Sequence, residues 1–133
     1  MREKPGFPLK SVAGTTVIFL FAAFPACAEW VKVGRTEAAV HYVDPATVRM
    51  DGSLRRVWAM QDMVEASAEG VRSIRALQEY DCAERRIRYL TVAAHSGPMA
   101  GGWILATHNL RDNWSDRPPG TNSTAIEKIV CGN

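Results

Sequence analysis

The residues from which this chain could build chemistry are three histidines, a widely spaced pair of cysteines and one arginine cluster. His41, His95 and His108 fall on separate segments, without the close spacing that brings two ring nitrogens onto one metal ion. His95-Ser96-Gly97 sets a base beside a hydroxyl. A serine hydrolase, however, needs its Ser on a strained elbow with a base and an orienting acid. Gly-x-Ser-x-Gly is absent, and neighbouring side chains on a strand point to opposite faces. This segment is better read as a strand end entering a turn. No catalytic residue, metal-ligand set or cofactor site is assigned.

Arg85-Arg86-x-Arg88 is the densest basic run, but alternation sends Arg85 to one face and Arg86 and Arg88 to the other. Acidic residues are interleaved with it, so no sustained positive field is expected and nucleic acid is not an expected partner. A solvated, salt-bridged sheet face is the simpler reading. The cysteines carry a second kind of chemistry. Residues 1–28 hold a basic start (Arg2, Lys4, Lys10), the apolar stretch Val17–Phe24, the helix breaker Pro25 and the small-residue pair Ala26 and Ala28. That is the pattern of a secretory signal peptide cleaved before Glu29. The apolar stretch is too short to span a bilayer. The competing reading makes Cys27 a lipidated first residue, and the chain would meet a membrane only in that case. Cleavage removes Cys27 and leaves Cys82 and Cys131, an even pair in an oxidising compartment. A disulfide is the simplest expectation for them, with two buried thiols as the alternative.

Composition sets the limits. The chain has 133 residues, enough for one domain, with 47% hydrophobic and 23% charged residues. Those proportions exclude a disordered polyampholyte and a collagen-like repeat. Its net charge of +2 belongs to the leader, because residues 1–28 hold three of the 16 basic and one of the 14 acidic residues. All four Phe also lie in the leader, so residues 29–133 must build their core from other apolar side chains. Trp30, Trp58 and Trp103 are expected in that core. Trp114, in a polar stretch, is expected to be exposed.

Elements follow from periodicity. Alternation predicts strands over 29–34, 37–43, 54–62, 71–82, 85–95 and 103–107. Asp44-Pro45 is expected to stop the second, and Asp51-Gly52 to turn a hairpin. In the fifth, Ile87, Tyr89, Thr91 and Ala93 share one face, while Leu90, Val92 and Ala94 leave an apolar patch on the other. Thr121 or Ser123 can cap a helix to about Cys131, with Ala125, Ile126, Ile129 and Val130 on one face. The expected fold class is α+β: a single antiparallel β-sheet of about six strands with a C-terminal α-helix packed on one face. Ile126, Ile129 and Val130 should rest on Leu90 and Val92 or their neighbours. Loops at 63–70, 96–102 and 111–120 are the candidate contact surface. In the last of them, Trp114 and Arg117 have the residue character favoured at interface centres.

The ordered set Tyr42-Val43-Asp44-Pro45-Ala46-Thr47, Leu54-Arg55-Arg56-Val57-Trp58, Glu79-Tyr80-Asp81-Cys82, His95-Ser96-Gly97-Pro98-Met99 and Ile129-Val130-Cys131 resembles the bacterial surface-adhesin protein E-like domain family. The resemblance covers roughly residues 30–131. It implies a Gram-negative envelope protein with an antiparallel sheet, a C-terminal helix and a paired Cys. It also implies a non-enzymatic binding role towards host matrix proteins and a chain able to form a homodimer. The alternative is a periplasmic ligand-binding or envelope-maintenance domain with a bacterial envelope partner. Location is therefore expected in the periplasm, or at the cell surface or outer membrane.

Overall fold

Strands dominate because apolar and polar residues alternate between turn signals, which buries one side chain of every two. In the computed structural model, described for residues 27–110, 113–116 and 121–132 and for scattered positions between 3 and 20, six strands follow one another as a meander. They are β1 (Val31–Arg35), β2 (Ala39–Asp51), β3 (Leu54–Met63), β4 (Ser73–Asp81), β5 (Arg86–His95) and β6 (Ile104–Asn109). All neighbours pair antiparallel in sequence order. A two-residue strand, β7 (Ser115–Asp116), pairs with β5 where β6 no longer covers it. The helix α1 (Asn122–Cys131) closes the chain.

Turns behave as their residues require. Gly52 takes φ 58° in the β2–β3 hairpin, a conformation that suits a residue without Cβ. At the β4–β5 turn, Asp81 Oδ1 accepts from the backbone N–H groups of Ala83 (3.2 Å) and Glu84 (3.1 Å). Asp44-Pro45 does not end β2 as expected. The strand continues to Asp51, with a register shift between Asp44 and Arg49. β1 pairs with β2 only as far as Val43, so Pro45 sits on a free edge, where its missing N–H removes no ladder bond. Within the bulge the Thr47 hydroxyl donates to Asp44 O (2.6 Å) and accepts from Trp58 N (3.0 Å), replacing ladder bonds.

A second bulge changes the expected faces. Leu77 lies opposite Thr91 and Gln78 opposite Tyr89, so Leu90 is an extra residue in β5. Beyond it the alternation changes phase. Ile87, Tyr89, Val92 and Ala94 therefore share the helix-bearing face, and Thr91 and Ala93 turn to the other. The apolar patch expected on the second face is thus moved to the first.

The helix covers the β1–β4 side of that face. Thr121 is its N-cap, accepting from Thr124 N, and Gly132 ends it at φ 74° with its N–H on Lys128 O (3.2 Å). Ile126 and Val130 are buried with Val43, Val57, Ala59, Tyr80 and Ile87. Of the strand expected beneath the helix, β5, Ile87 joins that cluster while Leu90 and Val92 lie outside it. Ile129, expected to be buried, is 41% exposed. At about 100° per residue, Ile126, Val130 and Glu127 occupy one arc of the helix and Ile129 falls outside it. Glu127 is buried in its place, with Arg85 Nε 3.5 Å away. Cys131 in the last turn is disulfide-bonded to Cys82 beside the β4–β5 turn, Cα to Cα 5.7 Å. At the other end Asn122 lies so close to Gly34 of β1 that a Cβ there would collide with its side chain.

Candidate functional site

The face opposite the helix carries the charge. Register places Arg56 of β3, Glu79 of β4 and Arg88 of β5 in one row across three strands. Glu79 is fully buried between them, and each of its oxygens is taken. Arg56 Nε donates to Oε2 at 2.6 Å, while Arg88 reaches Oε1 with Nε at 2.8 Å and Nη2 at 2.6 Å. Burial opposes ionisation of this carboxyl. The hydrogen bonds and charges of the two guanidinium groups outweigh it and hold the group below the usual glutamate range. Arg56 is raised in turn, chiefly by its hydrogen bond to Glu79. Next to this row Arg86 Nη2 donates to Asp81 Oδ2 at 2.9 Å. That bond and the turn N–H groups lower the Asp81 carboxyl.

Two tryptophans are stacked on arginines of this face. The pairing of β7 with β5 sets Ser115 opposite Ile87, which carries Trp114 onto the neighbouring arginines. Its ring centroid is 4.4 Å from Arg88 Cζ and 5.2 Å from Arg86 Cζ. Arg75 lies 4.3 Å from the ring of Trp58. Trp114 is therefore half-buried, where exposure was expected from its polar surroundings. Arg117, the other candidate contact residue, lies outside the described residues. Trp103, expected in the core, is 81% exposed at the start of β6. Ile104 and Leu105 follow at 61% and 46%. β6 is an edge strand whose every residue is exposed, so nothing in the sheet covers them.

The 96–102 connection, a candidate contact loop, is held from beneath. The fully buried Ser73 hydroxyl donates to Gly97 O (2.6 Å) and accepts from Ala100 N (2.9 Å). Asp62 accepts from Met99 N (2.8 Å) and pairs with Arg72 at 3.5 Å. These bonds keep Met99 and Ala100 at φ 55° and 56°, which non-glycine residues seldom adopt. Ser96, next to His95, accepts from Trp103 N (2.8 Å) and closes the same turn. His95 is buried, and desolvation followed by the charge of Arg75 lowers its pKa. His41 is on β2, His95 on β5 and His108 on β6. Among the described residues no group of three or more His, Cys, Asp or Glu is placed to hold a metal ion.

Sequence alternation identified this face as salt-bridged. It did not identify Glu79 as its centre, because the partners stand 23 and nine positions away and meet only through strand register. The one available signal was that Arg56, Glu79 and Arg88 all belong to polar faces of successive strands.

An antiparallel six-strand meander, with a C-terminal helix fastened to one face by a disulfide and a tryptophan–arginine layer on the other, defines a small non-repetitive α+β domain. Residues 30–132 match the family model described as surface-adhesin protein E, and the chain belongs to that family. The structure is similar to that of Haemophilus influenzae protein E, with a TM-score of 0.58 and 13% identity over 80% of this chain and 86% of that one. A second crystal form of that protein gives 0.54 and 14% over 77% and 97%. Protein E from non-typeable Haemophilus influenzae gives 0.54 and 13% over 79% and 85%. At these identities the likeness is one of fold. No curated protein matches the chain by sequence.

Proposed function

We propose that this chain is an exported envelope protein, cleaved before Glu29, whose domain binds a protein partner through its surface without performing catalysis. Adhesion to host matrix proteins is the version that family membership favours. The observation that carries the reading is the face of Arg56, Arg75, Arg86 and Arg88 overlaid by Trp58 and Trp114, with Glu79 and Asp81 bonded among the arginines. Arg and Trp are the residues that most often dominate protein interfaces, because they combine a large contact area with directional charge. The exposed Trp103-Ile104-Leu105 edge adds apolar surface of the kind that marks interaction sites.

The test is binding of the purified exported chain to matrix proteins and to envelope extract, together with protease access on intact cells. Trp114→Ala and Arg86→Ala should weaken capture of the partner by tenfold or more, the range of an interface hot spot, while leaving the circular dichroism spectrum unchanged. A partner found only in envelope extract, with no protease access from outside, would favour envelope maintenance over adhesion. Capture from neither source would remove the binding reading.

A further inference from the structure

The width of the sheet exceeds what its helix can cover. Neighbouring strands lie about 4.8 Å apart, so six of them are wider than one helix of about 10–12 Å. α1 lies over the β1–β4 side, and the Leu90 bulge brings Val92 and Ala94 onto the same face beyond it. Between the first turn of the helix and that strip lies a cleft of about 330 Å³. This is within the range of small-molecule sites.

Its lining is specific in chemistry. Ala59, Ala76 and Val92 provide an apolar bed, with Ile126 and Leu110 also in the wall. The polar groups are uncharged: among the described lining residues there is no Lys, Arg, Asp or Glu. His41, also in the lining, is shifted towards its neutral form by burial. Gln78 is the key group. Its side chain is buried, its Oε1 accepts from the Tyr80 hydroxyl at 2.8 Å, and that bond orients the amide. Among the described residues its amide nitrogen donates to none, although Gln78 lines the cleft. The amide nitrogen is not among the buried polar atoms that lack a partner, so it is a donor within reach of whatever occupies the cleft.

We infer that this cleft is a binding site for a small, uncharged, largely apolar molecule whose carbonyl or other acceptor oxygen takes the Gln78 amide proton. Among the described lining residues a carboxylate would find no cation, and an ammonium no anion, to replace its lost hydration. The site lies on the helix-bearing face, away from the tryptophan–arginine layer, and stands independently of the protein-binding reading.

Benzamide, benzoate and benzylammonium, which share a ring and differ in charge, are suitable probes. Each is titrated into the isotope-labelled exported chain, with NMR shifts followed at the Gln78 side-chain amide and at Ala76 and Val92. Benzamide should give saturable shifts at these positions with a dissociation constant on the order of a millimolar, as small fragments do. Benzoate and benzylammonium should bind at least tenfold more weakly. Gln78→Leu should reduce benzamide affinity about tenfold. Since Gln78→Leu also removes the acceptor of Tyr80, Val92→Trp serves as the second variant: it fills the cleft from its half-exposed rim and should abolish the shifts while thermal unfolding stays cooperative. Absence of saturable shifts with benzamide, equal binding of the charged probes, or binding that survives Val92→Trp would each overturn the assignment.

Discussion

Replacement of Glu79 by Gln tests whether the buried carboxylate organises the face opposite the helix. Glu79 receives three short contacts, one from Arg56 and two from Arg88. A hydrogen bond to a charged group contributes about 1.5–3 kcal/mol. The Arg56 contact counts for less, because 49% of that side chain remains in water and its charge is screened. Gln keeps one neutral acceptor and turns an NH₂ towards a guanidinium that can only donate. The two arginines can still reach solvent, so the cost stays below that of stranding a fully buried charge. The expected loss is about 3 kcal/mol at pH 7. The sign with pH follows from the lowered carboxyl: its stabilisation is complete above the unfolded value near 4.5 and is lost as pH falls through the lower folded value. Urea unfolding of both proteins at pH 7 and at successively lower pH below 4.5 measures the difference. Asp81, also lowered, is present in both and cancels. The gap between wild type and Glu79→Gln should narrow as pH falls. A cost under 1 kcal/mol at pH 7, or a gap that does not change with pH, would refute the argument.

The remaining predictions concern the fastenings of the fold. Cys131→Ala opens a loop spanning 49 positions and should cost up to about 4 kcal/mol in the chain-entropy model; reductant should destabilise the wild type in urea and leave the variant unaffected. Ser73→Ala leaves Gly97 O and Ala100 N without their shared partner and should cost about 1–3 kcal/mol. Hydrogen exchange should show faster exchange at Ala100, and unchanged protection there would contradict the role given to the hydroxyl.

Local pattern carried far in this chain. Strands, hairpins and helix follow from alternation, from Asp51-Gly52 and from Thr121, because each depends on residues within a few positions of one another. The Cys82–Cys131 pair was legible by count once Cys27 was assigned to the leader. Arg86 and Arg88 share a face as period two requires and meet Asp81 and Glu79, whereas Arg85, expected on the other face of the strand, lies before β5 in the turn at φ 54° and meets Glu127 from there.

Register between strands decided the rest. Leu90 becomes an extra residue only when Thr91 and Tyr89 are set against Leu77 and Gln78, and nothing in β5 alone marks it. From that one shift follow the exchange of faces beyond Leu90 and the cleft the helix leaves open. Trp103 and Trp114 exchange their expected exposures for a similar reason. One falls beside an edge strand with no further neighbour, and the other is brought by β7 onto two arginines. Burial of a tryptophan depends on what the tertiary fold places above it, whereas its own sequence neighbours determine only which strand or loop carries it.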